Sequence, residues 1–221
     1  MARKEDFIAA VQNGDNAIVA NLLQADASLV NAKNERGQSA VLLAAYHGRK
    51  EIRDLLIARG ATLSLHEASA AGQLARVEEL VSENASLASG VSPDGFPVVA
   101  LAAVFGHFEI AKYLHAKGAD INAAATNGTG YNALTGAVTS GQTEIVKWLL
   151  ENGADPNYRY ANGYSPLLNA AANGHLEILK LLQGHGADLR AKTTDGENAL
   201  SYAEERKHST VAEYLRAQGL S

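Results

Sequence analysis

Glycines set the frame of this chain. Gly37, Gly95, Gly130 and Gly163 are followed eleven residues later by Gly48, Gly106, Gly141 and Gly174, and twelve beyond those stand Gly60, Gly118, Gly153 and Gly186. A fifth set, Gly196, Lys207 and Gly219, keeps the spacing with lysine in its middle slot. Ten further residues, as from Gly153 to Gly163, complete a period of 33. A fixed period of this length describes an array in which every unit is one supersecondary element leaning on its neighbours. Such an array grows by addition, so the period overrides the one or two globular domains that 221 residues would otherwise suggest.

The unit from Gly163 to Asp188 is the clearest copy. Ser165 is a natural N-cap, and Pro166 takes the first helical position, where its missing N–H costs nothing. Ala170, Ala171 and Ala172 follow, and Asn173-Gly174 ends the helix with a residue that accepts positive φ. His175-Leu176-Glu177-Ile178 opens a second helix, in which Ile178, Leu181 and Leu182 share one face. Read across the array, this predicts inner helices near 5–13, 39–47, 65–71, 97–105, 132–140, 165–173 and 198–206. Outer helices are expected near 15–24, 49–58, 73–83, 107–117, 142–151, 175–184 and 208–218.

Ser165-Pro166-Leu167, Gly106-His107-Phe108-Glu109-Ile110, Gly141-Gln142-Thr143-Glu144-Ile145-Val146 and Gly118-Ala119-Asp120-Ile121-Asn122-Ala123 resemble the successive segments of the ankyrin repeat, and Gly153-Ala154-Asp155-Pro156-Asn157 adds another. The resemblance runs from about Glu5 to Gly219. It implies an all-α, ankyrin-type solenoid of about seven helix-turn-helix repeats joined by short β-hairpin or extended connections. The expected organisation is a single domain over 1–221, with an N-terminal capping repeat at about 3–34. Repeats at about 35–62, 63–90, 91–123, 124–157 and 158–191 follow, then a C-terminal capping repeat at 192–221. Polar residues at both ends, Arg3 to Asp6 and Glu204 to Lys207, suit caps. The family's helix-opening His occurs only at His66, its slot elsewhere holding Leu42, Ala100, Thr135, Leu168 and Ser201. The hydrogen bonds of that turn are therefore expected to be mostly missing.

A second regularity overlies the first. A shift of 58 residues carries Gly14, Val19 and Leu22 onto Gly72, Val77 and Leu80, and Ala27-Ser28-Leu29 onto Ala85-Ser86-Leu87. Residues 5–60 and 63–118 thus read as two copies of a two-repeat module. Between Gly60 and His66 about ten residues of the connection are absent. A shortened or missing hairpin at 60–66, with a local change in stacking, is the expected result. By contrast, 124–129 carries two extra residues and predicts a longer tip, of the kind that is functional, mobile or a neutral insertion.

Chemistry is sparse. The net charge of −5 and the lack of a Lys/Arg run argue against a nucleic-acid partner. No apolar run reaches bilayer length, and no secretory segment stands at the start, so no membrane role is expected and the localisation read from the sequence is cytoplasmic. Cysteine is absent, which removes disulfides and thiolate sites. His107, His175 and His208 recur one unit apart, too widely separated to share an ion, and read as turn caps. His47, His115 and His185 lack a second ligand at i+4; no metal and no cofactor are expected. Glu78-Glu79 and Glu204-Glu205 are solvated charge, and no nucleophile elbow or Walker loop occurs, so the chain reads as no enzyme.

A binding face is the remaining option. The slot after the turn glycine holds Gln38, Phe96, Tyr131, Tyr164 and Glu197, three successive aromatics that predict a ladder spaced about 10 Å per unit. Tyr46 and Phe105 precede mid-unit glycines, and Arg159 stands between Tyr158 and Tyr160. Aromatics and arginine anchor interfaces, so Tyr46, Phe96, Phe105, Tyr131, Arg159, Tyr160 and Tyr164 form the expected strip for an unknown protein partner. The resemblance places it on the concave face. The same residues serve equally well as packing between units. Trp148, Tyr113 and Tyr214 lie in the outer-helix stripe and are assigned to the seam. The expectation is a monomeric protein–protein interaction module. The alternatives are a small-molecule or nucleic-acid groove between units, near 60–66, and a structural or self-associating array.

Overall fold

The computed structural model describes residues 2–221. Met1, the first residue of the expected domain, lies outside the described residues. In chain order the helices are α1 (Ala2–Asn13), α2 (Asn16–Ala25), α3 (Ala40–Tyr46), α4 (Lys50–Ala58), α5 (Leu65–Ala71), α6 (Leu74–Glu83) and α7 (Val98–Val104). There follow α8 (Phe108–Ala116), α9 (Ala133–Thr139), α10 (Thr143–Glu151), α11 (Pro166–Ala172), α12 (Leu176–Gly184), α13 (Ala199–Glu205) and α14 (Ser209–Ala217). Odd-numbered helices form the inner layer and even-numbered ones the outer layer, each pair packing on the next. The architecture is an all-α solenoid, and the expected helices are met within a residue or two except at α1, which begins earlier.

Inner helices are seven residues long after the first, and rich in alanine; Ala40 to Ala45 and Val98 to Ala103 are buried throughout. Small side chains let neighbouring backbones approach. At Gly136 an added Cβ would stand 3.2 Å from the Cβ of Val104 on α7. Outer helices bury one face each, such as Ile145, Val146, Leu149 and Leu150 of α10. Tyr113, Trp148 and Tyr214 pack half-buried against this core, in the seam as expected.

The helix-opening bonds are present, which corrects the expectation that they would be missing. Ser39 and Ser165 accept from the amides of Leu42 and Leu168 at 3.2 and 3.3 Å. Asn132 and Thr135 cap reciprocally at 2.9 and 2.8 Å, and Asn198 and Ser201 do so at 2.9 Å each way. A hydroxyl in the histidine slot therefore does the reciprocal work, while Pro97 caps α7 with no side-chain bond.

Among the described residues no extended strand forms. Four connections are closed by isolated antiparallel bridges, Lys33–Ser39, Val91–Pro97, Tyr160–Tyr164 and Lys192–Asn198. The 58-residue offset is visible in the first two of these. It also appears in the 3₁₀ turns Ala27–Asn31 and Ala85–Ser89, capped by Asp26 and Asn84 at nearly the same backbone angles. No bridge lies between α4 and α5. There the chain runs directly into α5, the amide of Thr62 bonds Asn31 at 2.8 Å, and buried Glu67 accepts from the amide of Ser64 at 2.9 Å.

The recurrent histidines link units rather than cap their own turns. His107 Nε2 donates to the carbonyl of Ala70 and His208 Nε2 to that of Ala172, both at 3.1 Å, closing the end of the preceding inner helix. The His175 ring likewise packs over Gly141, at the end of the preceding inner helix, without such a bond. Arg49 does this for the first unit, its Nε bonding the carbonyl of Gln12 at 3.0 Å. No helix of the described residues is long and apolar enough to cross a membrane.

Candidate partner-docking groove

The missing hairpin at 60–66 determines what meets what on the inner side. With no tip from the third unit in between, the second and fourth units touch directly. Gln38 Nε2 donates to Asp94 Oδ2 at 2.9 Å across 56 residues of sequence. Gln38 is aimed there because its Oε1 accepts from Asn34 Nδ2 at 2.7 Å. Tyr46 crosses the same gap: its ring stacks on Phe105 at 5.9 Å and meets the edge of Phe96 at 6.5 Å. Leu42, Ala45, Ala70 and Leu101 form a small separate core beneath these rings.

The next tip is held off by its own anchors. The amide of Thr126 bonds the carbonyl of Gly95 at 2.9 Å, and Asn127 Nδ2 bonds that of Asp94 at 2.9 Å. Asn127 Oδ1 also accepts from Thr129, so the longer 124–129 tip is an ordered turn seated on its neighbour. Between the fourth and fifth units this leaves an open groove of about 530 Å³. Phe96 and Phe105 lie on one side and Tyr131 and Asn132 on the other, with Val104 and Gly136 in its lining and Tyr46 and Asp94 also reaching it. The groove takes no lining residue from 60–66 itself, though Gln38, Tyr46 and Asp94, which meet across the gap left there, all line it.

Four of the seven expected residues, Tyr46, Phe96, Phe105 and Tyr131, thus converge on one cavity, each half-buried. The other aromatics build a second cluster. Tyr160 meets Tyr131 edge-on at 5.1 Å and Tyr164 at 6.0 Å, and Tyr164 meets Tyr202 at 5.4 Å. Tyr160 thus links Tyr131 to Tyr164, and the groove lies between this group and the rings of Tyr46, Phe96 and Phe105. Arg159 stands apart: its guanidinium bonds the carbonyl of Lys192 in the following connection. Tyr158 is likewise engaged, its hydroxyl donating to the carbonyl of Gly130 at 2.8 Å.

Electrostatics divide the groove from the tyrosine cluster. Burial would push the Asp94 carboxyl up, but hydrogen bonds from Ser92, Tyr46 and Gln38 outweigh it and hold the group below the usual carboxylate range. Burial, with Asp94 nearby, raises the Tyr46 phenol, which stays neutral. Its hydroxyl is buried without a well-formed hydrogen bond, as is the Nδ2 of wholly buried Asn132. In the second cluster Tyr202 pushes the Tyr164 phenol up to about 12. Gln38, Asp94, Asn132 and Tyr202 were not singled out from the sequence. Tyr202 lies on an inner helix one unit beyond Tyr164, a placement that could have flagged it; the Gln38–Asp94 contact had only the shortened connection as a signal.

A model of ankyrin repeats (three copies) matches residues 65–160, and a second, of ankyrin repeats in many copies, matches 149–203. The chain is 31% identical over 154 residues to an ankyrin repeat and KH domain-containing protein, mask-1, of Caenorhabditis elegans, a match covering 66% of this chain and 6% of that protein. It is 36% identical over 91 residues to ankyrin repeat and SAM domain-containing protein 6 of Mus musculus and of Rattus norvegicus, covering 41% of this chain and 10% of each relative. The matched segment is thus a small part of each curated relative.

Proposed function

Since the chain belongs to the ankyrin-repeat family, whose two matching models together span residues 65–203, we propose that it is a non-catalytic docking module that receives a protein or peptide partner on its concave, inner-helix face. Ankyrin repeats are in general protein–protein interaction modules. The observation that carries the reading here is the convergence of Tyr46, Phe96, Phe105 and Tyr131 on one open groove beside an ionised carboxylate. Half-buried rings held by neighbours lose little freedom on binding, and a preformed surface lowers the ordering cost of association. Tyr160 and Tyr164 extend the surface, whereas Arg159 supports it through Lys192. In this reading the protein acts as a monomer, with no nucleic-acid partner.

The test compares capture of partners from the source cell by the unaltered chain and by the triple variant Phe96→Ala, Tyr131→Ala, Tyr164→Ala. The expected result is a loss of affinity of tenfold or more for the captured protein with helix content retained. Undiminished capture by the triple variant would sink the proposal.

A further inference from the structure

We propose that the groove between the fourth and fifth units takes the side chain of an arginine presented by its protein partner, with Asp94 receiving the guanidinium and Phe96 and Tyr131 flanking the stem. This deepens the docking reading and rests on it.

Charge carries the argument. Among the described residues Asp94 forms no ion pair: the acidic partners of the chain's ion pairs are Asp54, Glu67, Glu79, Glu109, Glu151, Glu204 and Glu205. The donors to its side chain are neutral, Ser92 Oγ at 2.6 Å and Gln38 Nε2 at 2.9 Å, one to each oxygen. The Tyr46 hydroxyl also leans on this carboxylate but makes no well-formed bond to it, so each oxygen keeps room for one arm of a two-pronged donor. His66, which feels the Asp94 charge, is held below its ordinary value mainly by burial and is neutral near pH 7, so it does not cancel this charge. An ionised carboxylate beside an apolar, aromatic-walled groove is complementary to a cation with an apolar stem.

Arginine fits this description better than lysine. Its planar guanidinium lies against aromatic faces, pairs in two-pronged fashion with a carboxylate and is less strongly hydrated than an ammonium. Asn132 supplies an independent observation. It is wholly buried in the groove lining, its Oδ1 accepts from the amide of Thr135, and its Nδ2 has no partner. An unpaired buried donor is costly, and a carbonyl on the segment that carries the arginine would relieve it. The site therefore offers an acceptor for the guanidinium and a donor for the backbone beside it. The chain's overall charge of −5 favours the approach of such a basic segment.

The experiment selects a phage-displayed library of random dodecapeptides on the full chain. Selected peptides are then remade with each arginine replaced by citrulline, which keeps the shape and removes the charge. The expected outcome is an enriched arginine whose replacement weakens binding at least tenfold, with a similar loss on Asp94→Asn. The citrulline arm leaves the protein untouched, so it reads the contact even if Asp94→Asn disturbs the tips. Peptides that lose binding on Phe96→Ala or Tyr131→Ala yet tolerate citrulline overturn the arginine assignment and leave the docking reading standing. Failure to select any peptide sensitive to those two variants overturns both.

Discussion

In the second half of the array, successive tips hold one another. The amide of Ala161 bonds the carbonyl of Thr129 at 3.4 Å, and that of Thr194 bonds Asn162 at 3.0 Å. Asn157 and Asn122 each reach the next unit through their side chains, at 2.9 and 3.1 Å. In the first half there is a place where no tip exists, and contact between the second and fourth units replaces it: Gln38 to Asp94 outside, Tyr46 to Phe96 and Phe105 beneath. The outer seam hardly notices, since His107 closes its predecessor at the same 3.1 Å as His208 does. A repeat can therefore lose its finger and keep its stack, provided side chains from its two neighbours cover the gap.

The sharpest way to break this comparison is to remove the side chain that covers the gap. Tyr46→Ala should cost about 3–4 kcal/mol in urea unfolding, as for other large aromatic deletions, whereas Tyr164→Ala in the regular half should cost about 1–2 kcal/mol. Equal losses would mean the gap needs no cover. The likeness of the outer seams is tested by glycine. A Cβ on Gly72 or Gly174 would stand 2.5 or 2.6 Å from an imidazole atom, while nothing lies within 4 Å of one on Gly48. All three have positive φ. Gly72→Ala and Gly174→Ala should each lose about 3 kcal/mol and Gly48→Ala about 1–2 kcal/mol, by the same measurement. A much smaller loss at Gly72 would show the seam to be slack beside the missing finger.

Acidification should weaken the first half before the second. His66 and His107 both sit below the ordinary imidazole value of 6.5, burial being the main cause. Below that value the unfolded chain binds more protons than the folded one, so stability is full above about pH 6.5 and falls as the pH drops towards the folded values. Each group contributes a slope of at most about 1.4 kcal/mol per pH unit. Unfolding curves at pH 7.5 and 5.5 should differ, and His107→Gln should narrow the difference; an unchanged difference would remove His107 from the account. The smallest effect belongs to the last unit, where Lys207 occupies the glycine slot at φ 61°. Lys207→Gly should stabilise by about 1 kcal/mol, seen as a higher unfolding midpoint.

The layered helices were legible because their signal is spacing. Eleven, twelve and ten residues between glycines locate the turns of five of the units, and alanine against leucine tells inner from outer layer. The shortened connection was legible for the same reason, as an interruption in a count. What spacing does not carry is the chemistry of a cap. Thr135 and Ser201 look like lost histidines but close the reciprocal bond with Asn132 and Asn198. Nor does spacing say which side chains meet once a tip is gone. Phe96 and Tyr131 were visible as a repeated slot, yet Asp94 beside them acquires its setting from Gln38, and that contact exists only in three dimensions.

The groove lies where the two styles of stacking meet, one wall from each. Thermodynamic reciprocity then applies to whatever fills it. An occupant touching both walls becomes a clasp between halves that otherwise answer to different neighbours, and it makes their opening a shared event. The relation runs in both directions: a distant substitution that lets the walls drift apart weakens the occupant by the same factor by which the occupant would have held them together.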